Sequence, residues 1–179
     1  MNAIEMLKVP FGPNAVRWRI GRKSNDKKKA TALAYVDARD VMDRLDTSVG
    51  ADGWEDEYTT EPPRSVRKQC KVSKEYYFEQ VSGRVTCTLK IKIGDAWISK
   101  SDAAGETNVE GEKGAFSDAF KRAAVKFGLG RDLYGIESFY YPIDQYGNFK
   151  QPPELPEWYL NKYKTAIQKF INDEKERAA

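Results

Sequence analysis

The sequence predicts an α+β fold, an antiparallel β-meander packed against a long amphipathic helix, with a further helix in the N-terminal half and another at the C-terminus. Three observations carry this. Arg84–Ile93 alternates strictly: Val85, Cys87, Leu89, Ile91 and Ile93 point one way and Arg84, Thr86, Thr88, Lys90 and Lys92 the other, as in a half-buried antiparallel strand. The dipeptides Ser82-Gly83 and Gly94-Asp95 on either side of it suit tight hairpins. Gly111–Gly130 then changes to helical spacing, with Phe116, Ala119, Phe120, Ala123 and Phe127 gathered on one side at about 100° per residue. Strands followed by a covering helix argue for α+β.

Taken in order, Ala3–Lys8 reads as a short helix stopped by Pro10, Gly12 and Pro13. Ala15–Ile20 alternates Val16, Trp18 and Ile20 with Arg17 and Arg19, which predicts a strand with arginines on one face. Gly21–Lys29 is a polar loop and Ala30–Tyr35 a brief strand. Asp37 is placed to cap a helix running to about Val49, with Val41 and Leu45 inward. Gly50-Ala51-Asp52-Gly53 closes it, and Trp54–Thr60 is a strand ended by Pro62-Pro63. Arg64–Lys74 is expected as a connection or irregular strand end. The meander is expected as Tyr76–Val81, Arg84–Ile93 and Ala96–Lys100, turning at the two dipeptides. After the long helix come aromatics (Tyr134, Phe139, Tyr140, Tyr141), then Pro142, Gly147 and Pro152-Pro153. From Pro156 a last helix carries Tyr159, Tyr163, Ala166, Ile167 and Phe170 as a stripe, suited to its own domain or to a neighbouring subunit. The expected organisation is a core over residues 1–141, a linker over 142–155 and the C-terminal helix over 156–179.

Composition narrows the chemistry. With no histidine and two cysteines, Cys70 and Cys87, that form no CxxC pair, the chain lacks His/Cys zinc sites, Ser-His and Cys-His nucleophile pairs and a histidine base. The N-terminus has no basic segment followed by a long apolar core, and no apolar run approaches the ~18 residues of a membrane span, so a cytoplasmic protein without membrane contact is expected. The net charge of +3 identifies no partner, but its distribution does more. Arg17–Lys29 holds seven basic residues against one acidic, and Arg64–Lys74 five with none, a pattern of polyanion binders that solvated lysine-rich loops share.

The polar side of the long helix is the sharpest feature. Lys121, Arg122 and Lys126 fall opposite the apolar stripe, with Gly111, Gly114 and Asp118. Thr107 and Glu110 have capping-box spacing at its start, and Gly128 and Gly130 supply a stop. Interior glycines cost ~1 kcal/mol each relative to alanine; two of them beside three cations point to close approach of an anion. A Walker loop is excluded: five residues separate Gly105 from Gly111, and Glu112-Lys113-Gly114 follows where a lysine and a hydroxyl are needed. Asp102, Glu110, Glu112 and Lys113 have the chemistry of a magnesium-dependent nuclease, although carboxylates near a helix start also serve as caps and dipole partners. Direct nucleic-acid binding is the reading favoured by the cations. Asp118 pairing with Lys121 and Arg122, worth ~0.2–0.5 kcal/mol each, can coexist with it.

Gly111-Glu112-Lys113-Gly114, Ser117-Asp118-Ala119, Lys121-Arg122-Ala123 and Phe127-Gly128-Leu129-Gly130 together resemble the Rad fifty-two/Rad twenty-two family of single-strand annealing proteins, particularly its short phage and prophage members. Tyr35-Val36-Asp37 through Gly50-Ala51-Asp52-Gly53-Trp54 fits the family's first long helix and following turn, and the resemblance runs from about Val9 to Ile136. It implies a non-enzymatic protein without cofactor or metal that anneals complementary strands without ATP, in recombination and repair. The expected partners are single-stranded DNA, its complementary strand and further copies of the chain in a large homo-oligomeric ring or filament; a host or phage single-strand-binding protein is a further candidate. Lys121 and Arg122 match the basic pair of the family's DNA groove and Lys113 a lysine before it. Lys126, Arg39, Arg17 and Lys28 are candidates to extend the groove. The chain departs from the pattern at Asp40, Ala51 and Val125. A magnesium-dependent nuclease and a monomeric single-strand-binding module are the alternatives.

Overall fold

The computed structural model describes residues 2–105 and 111–178; the side chains of residues 111–113, 174 and 176–178 are outside that description. In chain order the elements are α1 (Ala3–Leu7), β1 (Arg17–Lys23), β2 (Lys29–Tyr35), α2 (Ala38–Val49), β3 (Trp54–Glu61), β4 (Arg64–Gln69), β5 (Tyr76–Val81), β6 (Arg84–Ile93), β7 (Ala96–Gly105), α3 (Gly111–Phe127), a 3₁₀ turn (Arg131–Gly135), β8 (Tyr140–Pro142) and α4 (Glu157–Ala178). The fold is α+β, with antiparallel sheets and long helices. The chain divides into two compact units, Met1–Ser48 with Phe127–Ala179, and Val49–Lys126.

The first unit is built on the sheet β1-β2-β8. Arg17 pairs with Tyr35 and Ile20 with Ala32 in the β1–β2 hairpin, and a bulge follows between Ile20 and Lys23. The segment expected as a loop over 21–29 is mostly hairpin. Ser24 N–H donates to Lys29 O at 2.9 Å and Ser24 Oγ to Asp26 Oδ1 at 2.6 Å, with Lys27 in the left-handed region (φ 56°). Val41 and Leu45 of α2 are buried, as their helical spacing predicts. Arg44 points from the same helix into the N-terminal segment. Its guanidinium donates to Val9 O at 2.5 Å, Met6 O at 3.2 Å and Pro10 O at 3.5 Å, and lies 4.6 Å from the centre of the Phe11 ring. Tyr159 of α4 is wholly buried and donates its hydroxyl to Phe11 O at 3.0 Å, so the start of the C-terminal helix docks on its own unit. Side chains from α2 and α4 thus converge on the chain around Phe11.

The second unit holds the sheet β3-β6-β7 covered by α3. Val85, Cys87, Leu89 and Ile91 are all buried, which is the face the alternation assigns to the core. Trp54 and Tyr58 of β3 share it, and their rings meet Phe120 (5.9 Å between centroids) and Phe116 (5.1 Å) of α3. The open face carries the polar set: Lys90 pairs with Glu55 at 3.0 Å and Glu57 at 3.5 Å, and Thr88 meets Ser101 at 2.8 Å. Gly53 leads into β3 where a side chain has no room, because an added Cβ would sit 2.1 Å from Val49 O.

The meander differs from expectation at its first turn. β5 does not pair with β6 across Ser82-Gly83; β6 pairs with β3 and β7, and β5 pairs with β4 in a separate two-stranded ribbon. Pro62-Pro63 lack the N–H groups needed to continue β3 as a paired strand, so the chain leaves the sheet after Glu61 and rejoins it at Arg84, the residue paired with Glu61. The basic segment expected as a connection therefore forms β4 and the turn after it. β7 also extends to Gly105, beyond the Lys100 expected from the pattern, and Gly105 pairs with Arg84. Gly105 is therefore a strand residue. The Thr107–Glu110 capping box lies outside the described residues.

Candidate nucleic-acid interface

Asp102 lies on the core-side register of β7, opposite Cys87, beside the flank of α3. Two cations of the helix reach it. Arg122 Nε and Nη2 each lie 3.2 Å from Asp102 Oδ1, and Lys126 Nζ lies 3.4 Å from Asp102 Oδ2. Lys126 Nζ also donates to Ser101 O, and Lys100 Nζ donates to Lys126 O at 2.8 Å. The lysine and arginine side chains stay 46% exposed and the aspartate only 22%, so positive charge faces solvent and its counter-charge sits beneath. Burial raises the Asp102 carboxyl's proton affinity, but the Ala103 N–H and the cations outweigh that and hold the group below the usual carboxylate range.

This arrangement corrects the helical-wheel reading. Arg122 and Lys126 do not stand on the face opposite the aromatics; they occupy the flank beside β7. Ala115, Ala119, Ala123 and Ala124 are buried, which widens the covered face well beyond the phenylalanine stripe, while Lys121 is half-buried. Small alanines bring the helix backbone close to the sheet, and long cationic stems extend past the edge to keep their heads in water. Lys100 and Asp102 are the residues that sequence reasoning did not assign to a basic cluster. The available signal was their two-residue spacing on one strand.

The remaining predicted cations divide between the units. Arg17 is held by two carboxylates, Asp40 Oδ2 at 2.6 Å and Asp37 Oδ2 at 3.2 Å. Asp40 also accepts from the Asp37 N–H at 2.9 Å, closing the first turn of α2, so the departure at Asp40 has a structural use. Arg39 is exposed on α2, and Lys28 is exposed at the hairpin tip with its N–H bonded to Asp26 Oδ1 at 3.1 Å. The Lys113 side chain lies outside the described residues. Among the described residues no group of three or more His, Cys, Asp or Glu could hold a metal ion. Asp102, one of the carboxylates considered for magnesium, is engaged by two cations. Glu110 and the Glu112 side chain are outside the described residues. No helix among the described residues is long and apolar enough to cross a membrane.

An antiparallel sheet is covered by one helix, and where they meet, cations ring a half-buried carboxylate and turn net positive charge to solvent. The chain belongs to the Rad52/22 family of double-strand break repair proteins, which it matches over residues 2–146. It is similar to the single-stranded DNA-binding protein DdrA of Deinococcus deserti, at 36% identity over 155 residues, covering 85% of this chain and 67% of the relative. It is similar also to DdrA of Deinococcus radiodurans, at 34% identity, covering 85% of this chain and 64% of the relative. The chain thus spans about two thirds of the length of these relatives.

Proposed function

We propose that this chain binds single-stranded DNA and anneals complementary strands without ATP, in homologous recombination and DNA repair. The observation that carries the reading is the convergence of Arg122 and Lys126 on Asp102 beside Lys100, in a family whose two relatives above bear the name of single-stranded DNA-binding proteins. One carboxylate balances one of those two cations, and the surplus attracts phosphate oxygens. Lys121 and Lys113 extend the contact along α3, and Arg39 and Lys28 add further phosphate positions; Arg17 joins them where phosphate displaces its carboxylates. These cations hold the strand by its phosphates, which leaves the pairing edges of the bases free to test a complement. Nothing in this mechanism requires a bond to be broken.

In the fuller form of the proposal the chain works as a homo-oligomeric ring or filament in a bacterial cytoplasm, alongside a host single-strand-binding protein. The phage or prophage character implied by the motif resemblance has no counterpart in the two relatives, both from Deinococcus. Fluorescence anisotropy with a labelled oligothymidylate, an annealing time course with complementary strands, and native mass together test the reading. Tight single-strand binding, faster duplex formation and a large assembly are expected. Failure of the folded protein to bind the oligonucleotide at low salt would overturn it; binding by a monomer that does not accelerate annealing would reduce it to a protective module.

A further inference from the structure

We infer that the β4–β5 ribbon is a stacking arm that grips unpaired nucleobases of the bound strand; this rests on the single-strand reading above and adds a contact of different chemistry. The ribbon is an excursion from the sheet: Glu61 and Arg84 are paired, and everything between them is carried beyond that pair. Among the described residues β4 and β5 pair only with each other. A lone two-stranded ribbon is marginal in water without an apolar face to bury, yet Phe78 is 70% exposed and Tyr76 60%.

Register gathers these rings with a cation. Arg67 pairs with Phe78 and Gln69 with Tyr76, and directly opposed residues share a face, so Arg67, Gln69, Tyr76 and Phe78 line one side of the ribbon. The Arg67 guanidinium lies 4.0 Å from the centre of the Tyr76 ring. Residues two apart on a strand are separated by roughly 6.8 Å, room for bases to stand on neighbouring rings, and a guanidinium plane is itself a stacking surface. The charge is matched to such a ligand. Arg64–Val81 carries five cations against two carboxylates, Glu75 and Glu79. Glu79 pairs with Lys68, while Arg64, Lys71 and Lys74 have no carboxylate within 4.0 Å among the described residues. Protein interfaces tend to exclude lysine from their centres; exposed aromatics interleaved with cations are the composition of sequence-tolerant single-strand binding.

The test uses the whole chain and two probes, an oligothymidylate and an abasic strand of equal length. Tyr76→Ala with Phe78→Ala should weaken oligothymidylate binding at least about tenfold, as loss of base stacking does, and leave abasic-strand binding nearly unchanged. With the unaltered protein, a strand carrying 5-iododeoxyuridine should photocrosslink to the peptide holding Tyr76 and Phe78, a result independent of how the variant folds. No crosslink on this peptide, equal loss on both strands, or no loss at all overturns the stacking arm. Normal binding with a smaller native mass also overturns it and assigns the ribbon to self-contact. If the unaltered protein fails to bind oligothymidylate, the single-strand reading itself falls.

Discussion

Arg122 of α3 directs both Nε and Nη2 at one oxygen of Asp102 on β7, each at 3.2 Å. A bound phosphate must compete with that carboxylate for the guanidinium. Asp102→Asn should therefore tighten single-strand binding several-fold, whereas Lys121→Ala with Arg122→Ala should weaken it and lower the salt slope by about 1.4, at about 0.7 for each phosphate no longer neutralised. Anisotropy titrations across a salt series read both quantities. Weaker binding by Asp102→Asn would show that the carboxylate positions the cations rather than competing for them.

The same pair has a pH signature. The folded Asp102 carboxyl is held below the ordinary carboxylate range: burial opposes this, but the Ala103 N–H, Arg122 and Lys126 prevail. A folded value below the unfolded one, ordinarily about 3.9, gives stability that is present above the unfolded value and lost as pH falls through the folded value. Thermal midpoints of the protein and of Asp102→Asn should differ at neutral pH and converge in acid. Convergence already near neutrality would contradict the depressed carboxyl.

Arg44 joins α2 to the N-terminal segment through three carbonyls and the Phe11 ring. Burial lowers its affinity for the proton, and the bonds to Met6, Val9 and Pro10 offset the loss of water around the charge. Arg44→Ala is expected to cost about 2–3 kcal/mol, the scale of hydrogen bonds to charged groups. Arg44→Lys should recover only part, since an ammonium lacks the planar fork that reaches several acceptors. Equilibrium denaturation measures both.

Tyr159 combines a wholly buried ring with a hydroxyl bonded to Phe11 O. Burial pushes its phenol up to about 12, so it stays a neutral donor throughout the physiological range. Tyr159→Phe should cost about 1 kcal/mol for the missing hydrogen bond, and Tyr159→Ala about 3–5 kcal/mol for the cavity. A small effect of the alanine variant on the denaturation midpoint would mean that α4 adds little to its unit.

Gly53 is constrained by space rather than by backbone angle. Gly53→Ala would drive Cβ into the Val49 carbonyl, 2.1 Å away, and backbone cannot move aside as a flexible side chain can. A loss of about 1–3 kcal/mol, the usual range for overpacking, is expected in thermal denaturation. Gly94→Ala serves as a comparison at a turn where an added Cβ meets nothing within 4 Å and only the positive φ of 61° is strained.

Where the chain's own periodicity is strong, sequence and structure agree. Val85, Cys87, Leu89 and Ile91 alternate because β6 is central, with a helix on one face and polar partners on the other. Phe116 and Phe120 mark the face of α3 that meets Tyr58 and Trp54. The ribbon is illegible for the opposite reason. Tyr76-Tyr77-Phe78 are consecutive aromatics without alternation, and Ser82-Gly83 resembles a hairpin turn as much as a re-entry point. Only the absence of donors at Pro62-Pro63 hints that β3 stops short. Arg44 carries no signal either, because an arginine on an amphipathic helix ordinarily faces water.

The class of fold, the core strand and helix, the family and the helix that bears the candidate cations are all legible in the chain itself, because each is written in local periodicity or in motifs held within one segment. Which strand pairs with which is a matter of the assembled fold, as is the pairing of Arg17 with Asp37 and Asp40 and the sharing of Asp102 by Arg122 and Lys126. Those facts depend on groups brought together from separate stretches of chain, and a charge's availability is a property of its neighbours in space. The same amphipathic helix could have turned all its cations to water; burial of its alanines against the sheet set two of them around a carboxylate instead.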